Sequence, residues 1–164
     1  MQGYGRGDYI IHPAEEGLVF GEDFAEILGY FQKLRENRCF NSRADVSPVS
    51  LKQYLPWISL VEPQWGPDGR IHDGTVTLHG SAVAAAYTDN TQKNVRSVHK
   101  PMVADRIMAS MQTAADIGGG VIGVSEERPE GGPHVRMSIL YLPLANDGVT
   151  IDLFFSYLRL DPLD

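Results

Sequence analysis

The sequence has little of what crosslinks a chain, crosses a membrane or binds nucleic acid. Its 164 residues include one cysteine, Cys39, which excludes an intrachain disulfide and favours a reducing compartment. No apolar run approaches the ~18 residues that a membrane-spanning helix needs, and the first residues lack the basic-then-apolar order of a signal peptide. Lys and Arg total 14 against 21 Asp and Glu, and this net charge of -7 argues against nucleic acid or an anionic membrane as partner. We therefore expect a cytoplasmic protein.

What is present is the composition of an ordinary globular domain. Hydrophobic residues make up 43% of the chain and charged residues 21%, and the length fits one domain that needs no disulfide or metal to be stable. The Gly-rich first 20 residues have no clean periodicity apart from a short extended piece near Tyr9. We therefore expect a flexible arm over residues 1–20 and a single domain over residues 21–164.

Two segments have the apolar spacing of amphipathic helices. Residues 22–36 place one apolar face on Phe24, Ile27, Leu28, Phe31 and Leu34. Residues 101–117 place another on Val103, Ile107, Met111 and Ala114. Pro101 suits the first turn of this second helix, and the glycines at 118–120 end it.

Five segments are predicted to be strands, because they alternate or are bounded by turn residues. They are residues 57–62, 70–79, 121–126, 134–142 and 150–160. Two strands, then helices, then three antiparallel strands predict an α+β fold. We expect a five-stranded antiparallel sheet with helices on one face and an additional N-terminal helix.

Five short motifs occur in a defined order along the chain. They are Leu34-Arg35, Ser42-Arg43-Ala44-Asp45 with Pro48, Leu55-Pro56, Gly80-Ser81 and Leu142-Pro143-Leu144. Together with the order of elements, they resemble the PAS family, in particular the short bacterial PAS proteins that stand alone. The resemblance covers about residues 24–160. It implies a sensory or regulatory role in signalling, through a small ligand or a protein partner, and it brings no catalytic residues.

A ligand of such a fold would lie between the sheet and its helices. Residues 81–100 are polar and lack a long helix, so they are the weakest cover. We therefore predict a small, mostly apolar cavity with Tyr87 or His99 as a polar contact. The predicted lining is Leu78, Tyr87, His99, Met108, Met111, Ile122, Met137, Ile139 and Phe155.

No cofactor or metal is expected. Helix 101–117 contains no histidine that could bind haem. A photoactive flavin domain requires a cysteine in the segment over the pocket, and Cys39 does not lie there. No pair of histidines has the sequence spacing of a zinc site. The purified protein should therefore be colourless. Arg43 and Asp45 are interpreted as residues that bond to nearby backbone and brace their loop.

Two other classes of function stay open. A small α+β hydrolase or isomerase could use Asp105 and Asp152 if both carboxylates faced one cavity. A pure interaction module would have a core packed solid with side chains. In addition, helix 22–36 has more apolar side chains than one sheet face easily covers, which predicts a homodimer through this helix.

Overall fold

The computed structural model describes residues 9–127 and 133–163. The strands are β1 (Ile10–Pro13), β2 (Ile58–Trp65), β3 (Ile71–His79), β4 (Val121–Glu127), β5 (Val135–Leu144) and β6 (Leu153–Pro162). The α-helices are α1 (Gly17–Phe20), α2 (Glu22–Arg35), α3 (Ser81–Tyr87), α4 (Val95–Val98) and α5 (Pro101–Ile117). Short 3-10 turns occur at Ala14–Glu16, Arg43–Asp45 and Leu55–Trp57.

All paired strands are antiparallel and form one sheet in the order β1-β4-β5-β6-β2-β3. The expected α+β fold with one antiparallel sheet is therefore confirmed, with one strand more than predicted. The five predicted strands are β2 to β6, and the long helices α2 and α5 begin and end within one residue of their predicted bounds. Gly118 ends α5 in the left-handed conformation, with φ of 68°, that a glycine adopts without strain.

The additional strand comes from the segment expected to be a flexible arm. Residues 1–8 lie outside the described residues, but from Tyr9 onward the chain is part of the fold. Strand β1 pairs with β4, with Ile10 opposite Val124 and Pro13 opposite Val121. Tyr9 is 1% exposed. Four residues are too few to show a period in the sequence, so the strand could not be recognised there.

The helices do not share one face of the sheet. Helix α2 packs on one face through Phe24, Ile27 and Phe31. Phe31 meets Phe155 edge-on, with ring centroids 4.8 Å apart. Helix α5 packs on the opposite face through Ala104, Met108, Met111 and Ala114. The sheet is therefore buried on both sides.

This arrangement removes the reason for expecting a homodimer through residues 22–36. Phe24, Ile27 and Phe31 are at most 1% exposed because the sheet itself covers them. Leu34, which is 40% exposed, is the large apolar side chain of α2 that stays accessible. A homodimer therefore remains a prediction, but the apolar face of α2 no longer supports it. Among the described residues, no helix is long and apolar enough to span a bilayer.

Asp45 is the centre of the loop after α2. Its carboxylate accepts hydrogen bonds from Arg38 at 2.8 Å, from the Asn41 amide at 2.9 Å and from the Ser42 backbone N–H at 3.2 Å. Burial acts to raise the pKa of Asp45, but these bonds and the charge of Arg38 outweigh it and hold the pKa below its usual value. Arg43 is exposed and donates only a 3.4 Å bond to the Val46 carbonyl.

We therefore predict different costs for the two residues of this motif. Asp45→Ala should lower the free energy of unfolding by about 2 kcal/mol, because it leaves three donors without their acceptor. Arg43→Ala, the matched control, should change it by less than about 0.5 kcal/mol. Urea denaturation measures both. Equal losses for the two variants would contradict this assignment.

Candidate functional site

A cavity of about 510 Å³ lies between the sheet and the helices α3, α4 and α5. Its sheet wall is formed mainly by apolar side chains, namely Val61, Val76, Met137, Ile139 and Leu158. Its helical wall is also apolar and is formed by Val83, Val95, Val98, Val103 and Ile107. The volume falls within the range of roughly 300–1,000 Å³ that is typical of small-molecule sites.

The cavity exists because the helices over this part of the sheet are short. Helix α3 has seven residues and α4 has four. They are separated by a turn in which Thr88 and Gln92 adopt positive φ values of 75° and 66°. Helix α5 places Ala104, Met108 and Met111 against the sheet. Its residues Val103, Arg106 and Ile107 border the cavity.

One end of the cavity is polar and is built around Tyr9. Its hydroxyl lies 2.6 Å from the hydroxyl of Ser110, and its ring stacks under the guanidinium of Arg106, 5.3 Å from the ring centroid. Arg106 is 4% exposed and donates to the Glu127 carboxylate at 2.5 Å. Burial raises the pKa of Tyr9 to about 12, although the bond to Ser110 and the charge of Arg106 act against it. The tyrosine is therefore a neutral hydroxyl at physiological pH.

Tyr141 completes this end of the cavity from strand β5. It is 3% exposed. Burial raises its pKa well above 10, and the nearby Tyr9 adds to the effect. Two neutral hydroxyls and one ion pair therefore surround the polar end.

Two histidines lie in the cavity wall beneath the short helices. His79 ends β3, and its Nδ1 accepts a hydrogen bond from the Asn90 backbone N–H at 3.2 Å. His99 lies between α4 and α5. Burial lowers the pKa of His79, and the charge of Asp89 opposes this shift. Burial, and next the proximity of His79, lowers the pKa of His99. Both imidazoles are therefore held neutral.

Four of the predicted lining residues border the cavity. They are Tyr87, His99, Met137 and Ile139. Met108 and Met111 are not among its lining residues; they are buried between α5 and the same sheet face. Leu78, Ile122 and Phe155 lie on the opposite face, where they pack in the cluster formed with α2, and their assignment to the cavity is wrong.

The register of the sheet explains this error. In an antiparallel pair, residues directly opposite each other have side chains on the same face. Tyr141 is opposite Ser156, and Ile139 is opposite Leu158. Strand β6 therefore presents Ser156 and Leu158 to the cavity and Phe155 to α2. Since both faces are buried, the apolar pattern of β6 alone could not show which face was which.

Sequence reasoning missed several residues of the polar end. The alternation along β5 placed Tyr141 on the same strand face as Met137 and Ile139, but Tyr141 was not included in the predicted lining. Arg106 precedes Ile107, which sequence analysis placed on the apolar face of its helix. Tyr9 directly precedes β1. The sequence indicated a short extended piece there, but that piece was assigned to the flexible arm and not to the sheet.

The carboxylates proposed for an enzyme do not meet. Asp105 is an exposed partner of Arg96, with a distance of 2.9 Å. Asp152 accepts a hydrogen bond from the Asn146 backbone N–H at 3.2 Å, in the loop before β6. Neither lines the cavity. Over residues 9–127 and 133–163, no three His, Cys, Asp or Glu side chains come together as a metal site would require.

Comparisons with known proteins add a similarity of fold. No protein-family model matches the chain, and no curated protein matches it. Among solved structures, the chain is similar to an RNA-binding light-oxygen-voltage receptor, with 11% sequence identity over 71% of this chain and a TM-score of 0.43. The chain spans about a third of that receptor's length, since the match covers 33% of it. A likeness at this level says nothing about what this chain binds.

The position of Tyr9 depends on a glycine. A Cβ atom added at Gly123 would collide with the hydroxyl and ring of Tyr9. We predict that Gly123→Ala lowers the free energy of unfolding by about 2 kcal/mol, because the ring must leave its place. Gly119→Ala, which meets no atom within 4 Å, is the control and should be nearly neutral.

A double-mutant cycle tests the cause. In a Tyr9→Ala background, Gly123→Ala should lose most of its cost, because the colliding ring is absent. Strictly additive losses in chemical denaturation would show that the clash is not with Tyr9.

The two histidines predict a pH dependence. Their pKa values are lower in the folded state than in the unfolded chain, so the unfolded state binds more protons in acid. Their contribution to stability should be complete above about pH 6.5 and should be lost as the pH falls. The free energy of unfolding should therefore differ less between pH 8 and pH 5 in the double variant His79→Gln, His99→Gln than in the wild type. An unchanged difference in the double variant would rule out this contribution.

Proposed function

We propose that the chain is a sensory or regulatory module that binds a small, mostly apolar ligand in its cavity and acts in cytoplasmic signalling. The observation that carries this proposal is the cavity of about 510 Å³. Apolar walls supply the area that a ligand can remove from water, and the few polar groups at one end supply orientation. A core packed solid with side chains would have favoured the alternative, a pure interaction module.

The segment between α3 and the start of α4, which covers the cavity, is hydrogen-bonded to β3 at one edge of the sheet. The backbone N–H of Val76 in β3 donates to the Lys93 carbonyl at 3.0 Å, and the Val76 carbonyl accepts from the Gln92 N–H at 2.6 Å. The Arg96 backbone N–H donates to the Asp73 carboxylate at 3.1 Å. A ligand that contacts Val83, Val95 and Val98 would therefore stabilise both the cover and this edge. Such coupling would let a signalling partner recognise the occupied state.

An enzymatic role is a weaker proposal. The two aspartates that motivated it are solvent-facing or bonded to loop backbone, on parts of the fold that do not border the cavity. Asp105 and Asp152 therefore do not form the carboxylate pair that the alternative of a small hydrolase or isomerase requires for acid–base chemistry. A homodimer and a signalling protein are kept as proposed partners.

The test is a thermal-shift screen of cell metabolites on three proteins. A true binder at a hundredfold excess over its Kd stabilises the wild type by about 2.7 kcal/mol. Met137→Trp fills the cavity and should abolish that stabilisation. Val149→Trp, at a position that is 67% exposed and remote from the cavity lining, is the matched control and should retain it.

The proposal would be overturned in either of two ways. The first is a screen in which no compound raises the melting temperature of the wild type. The second is a set of binders whose effect survives in Met137→Trp, which would place their site elsewhere on the molecule.

A further inference from the structure

Among the buried residues that line the cavity, Tyr141 and Ser59 have side-chain hydroxyls with no hydrogen-bond partner in the part of the chain that the structure describes. Tyr141 is 97% buried, by difference from its 3% exposure, and its side chain lines the polar end of the cavity. No side-chain or backbone atom of residues 9–127 or 133–163 bonds to its hydroxyl. Its hydroxyl therefore opens to the cavity, where a hydrogen-bonding group of a ligand could reach it.

The hydroxyls of Tyr9, Ser110 and Ser125 are already hydrogen-bonded. The Ser110 hydroxyl donates a hydrogen bond to the Arg106 carbonyl at 2.8 Å. It therefore accepts a hydrogen bond from the Tyr9 hydroxyl at 2.6 Å. On the neighbouring strand, Ser125 bonds to the Glu127 carboxylate at 2.7 Å. Three cavity-lining residues, Tyr141, Ser59 and Tyr87, have hydroxyls that make no bond within the described residues, and Tyr141 is the least exposed of the three.

The side chains of Lys100, Arg106 and Glu127 are the Lys, Arg and Glu side chains that line the cavity among the described residues. The guanidinium of Arg106 and the carboxylate of Glu127 form a close pair at 2.5 Å. Because both tyrosines keep their protons at physiological pH, they add no charge. A charged ligand group would lose its hydration beside the Arg106–Glu127 ion pair, which is unfavourable.

We propose that the cavity recognises a ligand with an apolar body and one neutral hydrogen-bonding group, a hydroxyl, carbonyl or amide, and that Tyr141 binds this group. The inference rests on the proposed function, since it names the chemistry of the same site. Tyr141 is a specificity-determining residue in this account, while the valines, Met137 and Ile139 supply contact area.

The experiment uses matched probes of one shape. Naphthalene has no hydrogen-bonding group, 2-naphthol adds a neutral hydroxyl, and 2-naphthoate adds a carboxylate. Their Kd values are measured by fluorescence titration on the wild type, Tyr141→Phe and Met137→Trp. The full chain is used throughout.

We expect 2-naphthol to bind the wild type about fivefold more tightly than naphthalene, the equivalent of one net hydrogen bond. In Tyr141→Phe this preference should fall to about one, while the Kd of naphthalene stays within about twofold of the wild type. In the wild type and in Tyr141→Phe, 2-naphthoate should bind more weakly than 2-naphthol. Met137→Trp should bind none of the three.

Tyr141→Phe also has a readout that needs no probe. It removes a hydroxyl that makes no bond within the chain, so the melting temperature of the variant should equal or exceed that of the wild type. A clear decrease would show that the hydroxyl has a structural partner and would overturn the inference.

The probe outcomes separate the two proposals. If all probes bind and Tyr141→Phe leaves the preference for 2-naphthol unchanged, the inference fails and the proposed function stands. If 2-naphthoate binds the wild type most tightly, the ligand class is anionic and the inference is wrong. If no probe binds the wild type, or binding persists in Met137→Trp, the cavity is not the site and both proposals fail.

Discussion

Helices bury both faces of the sheet, but they pack more completely against one face than against the other. On one face, the fourteen-residue helix α2 packs aromatic rings against aromatic rings, with Phe31 on Phe155 and Phe24 on Tyr157. On the other face, α5 covers part of the sheet, and the short helices α3 and α4 cover the remainder. Because protein interiors are close-packed wherever side chains can reach, the short cover is where space remains. The cavity, its polar end and its proposed ligand all depend on this asymmetry.

The polar end depends on the strand that pairs with β4 at the edge of the sheet. Tyr9 reaches the cavity only because β1 joins the sheet and because Gly123 leaves room for its ring. The ring supports the guanidinium of Arg106 from below, and Arg106 in turn holds Glu127. The wall of the cavity is therefore built from both ends of the chain, and a change in the N-terminal segment would alter the site directly.

Most of the fold could be predicted from the sequence because its long elements have clear periods. Helices α2 and α5 carry apolar residues at helical spacing, and Gly118 marks an end that needs positive φ. The site could be predicted only in part. Alternation along β5 placed Met137 and Ile139 together correctly, but the face of β6 depended on its register with β5, which only pairing defines. Strand β1 was missed because its stability comes from its partner β4 and from the burial of Tyr9, which are tertiary effects.

The central claim, that the cavity under α3 and α4 is the ligand site, is tested most directly by NMR of methyl-labelled methionines. Met137 borders the cavity, whereas Met111 is 0% exposed and packed against the same sheet face outside it. Signals are assigned by Met137→Leu and Met111→Leu. On titration with naphthalene, the account predicts that the Met137 methyl signal shifts and saturates while that of Met111 stays in place. A Met137 signal that does not move while the probe binds would contradict the account.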